Sequence, residues 1–141
     1  MAVFHLEVVT PDATVYKGDV SSVTAPAEDG RIGVLSGHAP LCCTIAVGEV
    51  LVREATGGER RFLVGDGFLE VARNTCRILA AVGEAAEEID VARAEAAEKR
   101  ARERLRAKRD VTFDLARAEV ALAKALVRVK LGRENVRRKA R

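Results

Sequence analysis

Apolar and polar positions alternate at the start of the chain. Phe4, Leu6 and Val8 are interleaved with His5 and Glu7, the period-two pattern of a strand with one buried face. Residues 19–35, DVSSVTAPAEDGRIGVL, hold two further apolar runs split by a Pro-and-Gly turn. Residues 44–82 form a succession of short, partly β-branched runs. Turn residues punctuate them at Val47-Gly48-Glu49, Thr56-Gly57-Gly58-Glu59, Gly65-Asp66-Gly67 and Arg73-Asn74. Short strands with regularly spaced turns predict a small antiparallel β-sandwich over residues 1–85.

After residue 85 the period changes. From Asp90 to Lys108 there is no Gly or Pro, and Ala, Glu, Lys and Arg dominate, all good helix formers. Asp90 is placed to cap this helix, with Glu87 and Glu88 favourable near its positive end. At about 100° per residue, Ala94, Ala97, Ala101 and Leu105 form an apolar seam, with Arg93, Arg100 and Arg104 in a stripe beside it. Glu95 with Lys99, and Glu98 with Arg102, are spaced as i,i+4 ion pairs. The stretch KRDVTF interrupts the pattern, and Asp110 or Thr112 can cap a second helix. That helix is expected from about Phe113 to Leu131, ending at Gly132. Leu115, Leu122, Leu126 and Val129 make its apolar stripe. Arg117, Lys124 and Arg128 lie roughly opposite, flanked by Val120, Val127 and Leu131, so the helix has two apolar sides. The short break predicts an antiparallel helical hairpin over residues 86–141, and the tail RENVRRKAR is expected to fray. The fold class is thus α+β. An Ala seam buries little area, so the hairpin's own cohesion is expected to be small.

Charge separates the same two halves. Residues 1–85 carry 7 Lys+Arg against 11 Asp+Glu, net −4, whereas residues 86–141 carry 17 against 10, net +7. Two such surfaces suit different partners. From the pattern alone, the basic stripes read as solvated helix surface, with nucleic-acid binding as a second reading. Nucleic-acid binding lacks support: aromatic content is 4%, and Phe113 is the one aromatic residue of the basic half. No apolar run approaches the roughly 20 residues needed to span a bilayer, and the N-terminus lacks the signal-peptide pattern, so a cytosolic protein is expected. Cys42, Cys43 and Cys76 show no metal-type spacing and are expected to be buried, reduced and structural. Gly37 and Pro40 shape a turn in GHAP, where His38 is expected as a hydrogen-bonded turn residue. Nothing pairs Ser36 or Cys42 with a base, and no phosphate-loop Gly pattern is present. The chain reads as non-catalytic, with no metal and no obligatory cofactor.

Two sets of motifs resemble one family. GRIGVLSGHAPL (30–41) with GDGFLEV (65–71) resembles the N-terminal sandwich of the epsilon subunit of bacterial F-type ATP synthases. IDVARAEAAEKRARERL (89–105), followed by ARAEVALAKALVRV (116–129), resembles that subunit's C-terminal hairpin. The resemblance implies a peripheral rotor subunit on the cytoplasmic face of the bacterial cell membrane. Its sandwich would bind the gamma subunit and rest on the c-subunit ring. Its hairpin would restrain ATP hydrolysis by extending along gamma toward the alpha and beta subunits. The family's ring-facing loop matches Glu28, Asp29 and Arg31, the last standing where many members carry an acidic residue. The pattern by which some members bind ATP as a regulatory ligand matches Ile89, Asp90, Arg93 and Ala94. Glu84, Arg100, Lys124 and Arg128 would complete it, with Lys124 replacing an Arg. The competing reading is a free-standing nucleotide- or nucleic-acid-binding module.

Overall fold

The computed structural model describes residues 2–107 and 115–140. Seven strands are followed by a short 3-10 turn and two helices. The strands are β1 (Phe4–Val9), β2 (Thr14–Ala27), β3 (Gly30–Leu35), β4 (Leu41–Ile45), β5 (Gly48–Glu54), β6 (Glu59–Ala72) and β7 (Thr75–Ala85). The 3-10 turn is Ala86–Glu88, and the helices are α1 (Val91–Ala107) and α2 (Leu115–Lys139). The chain divides into two compact units, Met1–Ala85 and Ala86–Arg141.

The strand unit is a β-sandwich built around its two longest strands. β2 pairs with β1 over its first half, then with β3 and β5 over its second. β6 pairs with β7 throughout, but with β5 over its first half and β4 over its second. All of these pairs are antiparallel, whereas β1 and β7 run parallel. The alternation in β1 survives intact: Phe4, Leu6 and Val8 are buried, and the residues between them are half-buried. They join Val20, Val23, Val50, Val52, Phe62, Leu69 and Ile78 in one core cluster. At about 25 cal/mol per Å², such burial is the main stabilising term for the unit. Tyr16 and Phe62 meet edge to face at 5.5 Å, and the Tyr16 hydroxyl donates to Glu54 at 2.9 Å. Burial first, and Glu54 second, push the Tyr16 phenol up to about 12.

The turns are only partly where the sequence pattern puts them. Arg73 and Asn74 form a two-residue hairpin between Ala72 and Thr75, both with positive φ (51° and 58°). That is the geometry that matches the twist of paired strands. The Thr56–Glu59 region also turns, since β5 ends at Glu54 and β6 begins at Glu59. Gly48, by contrast, begins β5, and a Cβ there would lie 2.7 Å from Pro26 Cβ. Pro26 itself lies within β2, so the β2–β3 turn falls on Glu28 and Asp29. Gly65-Asp66-Gly67 is no chain reversal but the point where β6 exchanges β5 for β4. The cysteine expectation also needs correction. All three are free, but Cys42 is exposed, Cys43 is half-buried and only Cys76 is buried. Alternation along β4 puts Cys42 on the outer face. Burial pushes the Cys76 thiol up to about 12, so it remains protonated and unreactive.

Asn74 ties three segments together. Its side chain donates to the Val3 carbonyl at 3.0 Å and accepts from the Gly37 amide at 3.0 Å. It thereby holds the GHAP loop and the start of β1 against the β6–β7 hairpin. Asn74→Ala loses these bonds and places a non-Gly, non-Asn residue at positive φ, so a loss of about 1–3 kcal/mol is expected in urea denaturation. Asn74→Gly relieves the backbone and should lose less. Equal midpoints for wild type and Asn74→Ala would rule out this anchoring role.

Candidate functional site

The helical unit is built on small residues. Ala94 and Ala101 of α1 are buried, as are Ala118, Ala125, Val129 and Leu131 of α2. Ala118, Ala125 and Gly132 recur every seventh position, which keeps them on one face of α2. The expected stripe of Leu122, Leu126 and Val129 is therefore not the packed seam. Val129 is buried, but Leu126 is 40% exposed and Leu122 is half-buried. Small residues bring the helices close, and Leu122 and Leu126 are left partly exposed beside them.

Gly132 is a point of close approach in the helical unit. The helix was expected to stop there but continues to Lys139, through most of the tail expected to fray. A Cβ at Gly132 would lie 2.9 Å from Val91 Cγ2 and 3.0 Å from Ile89 Cγ2. The glycine serves close approach of α2 to the start of α1, and its φ does not require glycine. Nearby, Arg133 donates to Glu95 through Nη2 at 2.7 Å and Nε at 3.2 Å, joining the two helices. Glu95 thus engages α2 instead of Lys99, while the Glu98–Arg102 pair forms within α1 at 3.1 Å. Asp90 caps α1: its Oδ1 accepts from the Arg93 amide at 3.1 Å. The expected caps Asp110 and Thr112 lie outside the described residues.

Toward the other end of the hairpin the helices enclose a cleft of about 430 Å³. Its cationic lining is Arg100 and Arg104 from α1, and Arg117, Lys124 and Arg128 from α2. Its floor is Ala97, Ala101, Ala121 and Ala125, with Val120 beside them. Among the described residues, no acidic or aromatic side chain lines it. Five cationic side chains thus border one cleft.

The structure brings together three of the sequence-derived nucleotide residues, Arg100, Lys124 and Arg128. Arg93 is exposed, Ala94 is buried in the seam and Ile89 packs toward Gly132, none of them lining the cleft. Glu84 is in β7, opposite Leu63, and belongs to the strand unit. Arg104 and Arg117 line the cleft without having been singled out as site residues. Their spacing was the available signal: Arg104 follows Arg100 by four positions, and Arg117 precedes Lys124 by seven.

On the strand unit, Glu28 and Asp29 form the exposed β2–β3 turn, closed by Gly30 at φ 124°. The exposed Arg31 donates from Nη2 to the Glu49 carbonyl at 3.1 Å, so its guanidinium leans back onto β5. His38 stays within its own turn. Its Nδ1 lies 2.7 Å from the Ala39 carbonyl, and its amide donates to Leu35 at 3.2 Å. Gly37 takes φ 79°, and Pro40 is exposed. No group of metal-ligating side chains occurs among the described residues.

Residues 3–86 match the family described as ATP synthase, Delta/Epsilon chain, beta-sandwich domain. Residues 87–131 match ATP synthase, Delta/Epsilon chain, long alpha-helix domain. The chain belongs to the ATP synthase delta/epsilon-chain family. Its members include the ATP synthase epsilon chain of Moorella thermoacetica, 43% identical over 130 residues, or 92% of this chain and 96% of that one. The epsilon chain of Syntrophomonas wolfei is 39% identical over 127 residues, covering 90% and 92%. A chain in the structure of the Euglena gracilis mitochondrial ATP synthase (OSCP/F1/c-ring) shares the fold, with a TM-score of 0.74 at 24% identity, covering 89% of this chain and 79% of that one. Family membership spans both halves in order, which disfavours the free-standing binding module.

Proposed function

We propose that this chain is a rotor subunit of a proton-translocating F-type ATP synthase, coupling rotation to ATP synthesis while performing no chemistry itself. The supporting observation is the match of both units, in order, to the two domains of the delta/epsilon-chain family. The strand unit is the assembly module, binding the gamma subunit and meeting the c-subunit ring through Glu28, Asp29 and Arg31. The complex carries it to the cytoplasmic face of the cell membrane as a peripheral component. No described helix is long and apolar enough to cross a membrane.

The hairpin is the regulatory module. Its small-residue seam makes docking weak, and its cations suit either the acidic parts of the alpha and beta subunits or a bound nucleotide. ATP as a regulatory ligand would sit on Arg100, Lys124 and Arg128 and favour the folded hairpin by mass action. Ile89, Asp90, Arg93, Ala94 and Glu84 complete the family-derived assignment. Asp90 already has a structural task as the cap of α1, so its substitution reports on helix stability as well as on binding.

The test of assembly is a pull-down of gamma with residues 1–85 alone. This unit has its own core, and its retention by gamma at the level of the full chain is expected. A folded 1–85 fragment that fails to retain gamma, while the full chain retains it, would overturn this division of labour.

A further inference from the structure

We infer that Leu131, Gly132 and Arg133 of α2 form a strap that holds the open end of the hairpin against the start of α1, and that the Arg133–Glu95 ion pair makes this strap loosen as ionic strength rises. The inference rests on the reading of the hairpin as a regulatory module and adds what keeps it folded.

The chain itself joins the end of α1 to the start of α2. The start of α1 and the end of α2 are held together by non-covalent contacts alone, and local opening begins at such free ends. Along the rest of the seam, Ala94, Ala101, Ala118 and Ala125 bury little area per residue. The strap is built differently. Leu131 is 1% exposed, and among the described residues of the helical unit it is the largest side chain buried this fully. Gly132 brings α2 up to Ile89 and Val91. α2 also packs on the 3-10 turn, Ala86–Glu88, from which the chain enters α1. Arg133 follows directly, with Nη2 and Nε both donating to Glu95 Oε1, at 2.7 Å and 3.2 Å. Three consecutive helical residues span about 200°, so α2 is engaged around more than half of its circumference at this level.

The two kinds of contact respond differently to salt. Burial of Leu131 and the close approach at Gly132 are apolar and do not weaken in KCl. The ion pair joins side chains that are 57% and 46% exposed, so dissolved ions screen it. Lys99 stands at the i,i+4 position from Glu95 on the same helix, yet Glu95 turns to α2. The pair therefore belongs to the docked arrangement and is lost when the helices part.

The experiment is amide hydrogen exchange over α1, read by mass spectrometry on the full chain at about 0.01 M and about 1 M KCl. Wild-type α1 is expected to exchange about threefold faster at the higher salt, within the range of one exposed ion pair. Arg133→Gln should exchange about threefold faster than wild type at low salt and lose the salt response. Glu95→Gln should do the same, and the double variant should be no faster than either single one, as expected of a direct pair. Arg137→Gln, one turn further along α2, should match wild type. Leu131→Ala should speed exchange by at least about tenfold at both salt concentrations. Additive effects of Arg133→Gln and Glu95→Gln, or a salt response that persists in Arg133→Gln, would overturn the ion-pair switch. Leu131→Ala exchanging like wild type would overturn the strap. Hydrolysis by the complex lacking residues 88–141 tests the regulatory reading separately, and a failure there leaves the strap standing.

Discussion

Gly67→Ala is expected to leave residues 1–85 largely unfolded. A Cβ at Gly67 would overlap the Leu79 carbonyl oxygen and come within 2.7 Å of Ala80 Cα. Both belong to the backbone of β7, which cannot step aside. It is fixed by register pairs on either side, Gly65 with Val82 and Phe68 with Leu79, and by β1 beyond it. A clash with the end of a flexible side chain relaxes by a rotamer change, whereas this one requires two paired strands to part. The cost should exceed about 3 kcal/mol, a large fraction of the stability of a domain this size. Gly33→Ala is the matched control, because a Cβ there meets nothing within 4 Å. Urea denaturation followed by circular dichroism should show a near-normal midpoint for Gly33→Ala and little folded protein for Gly67→Ala. A Gly67→Ala midpoint close to wild type would show that the β6–β7 crossing is looser than described.

Gly67 also marks where local reading of the sequence stops working. Gly65-Asp66-Gly67 has the composition of a turn, and Asp66 does take a positive φ of 56°. The same residues serve a different end, because β6 leaves β5 for β4 there while keeping β7. Which strands lie on either side is information the local sequence does not hold. Gly132 misleads in the same way. A Gly after an apolar run signals a helix end, but here the missing Cβ admits Ile89 and Val91 from the other helix. By contrast, β1 was legible from alternation, the Arg73-Asn74 turn from residue type, and the Asp90 cap from its place before an Ala-rich run. Each of these is decided within a few residues. The cationic stripes were legible as stripes. Their convergence depends on which face of α2 meets α1, and that is set by Ala118, Ala125 and Gly132 rather than by the larger Leu122 and Leu126. Arg104 and Arg117 join Arg100, Lys124 and Arg128 for that reason.

Removing residues 88–141 is expected to raise ATP hydrolysis by the assembled complex, while Gly132→Leu should lower it. The two changes act on one equilibrium from opposite directions. In the reading proposed here, the hairpin restrains hydrolysis only when α2 leaves α1. Deletion removes the restraining element altogether, so the rate should rise at equal subunit content. Gly132→Leu keeps every other residue but places a large side chain where Ile89 and Val91 Cγ2 atoms already lie about 3 Å from a Cβ. The gain in helix propensity over Gly, somewhat under 1 kcal/mol, is common to the docked and undocked arrangements as long as α2 stays helical. The packing cost, about 1–3 kcal/mol, falls on the docked one alone. That shifts the docked-to-undocked ratio by roughly 5- to 150-fold toward the restraining form. The Arg133–Glu95 pair is exposed and worth at most about 1 kcal/mol, so it cannot hold the hairpin shut against this change. Hydrolysis measured in membranes carrying wild type, the deletion and Gly132→Leu should therefore rank deletion fastest and Gly132→Leu slowest. ATP should restore Gly132→Leu only at concentrations well above those that act on wild type, because the ligand must first repay the lost docking. A Gly132→Leu complex that hydrolyses ATP as fast as the deletion would mean that the restraint requires the docked hairpin, reversing the assignment.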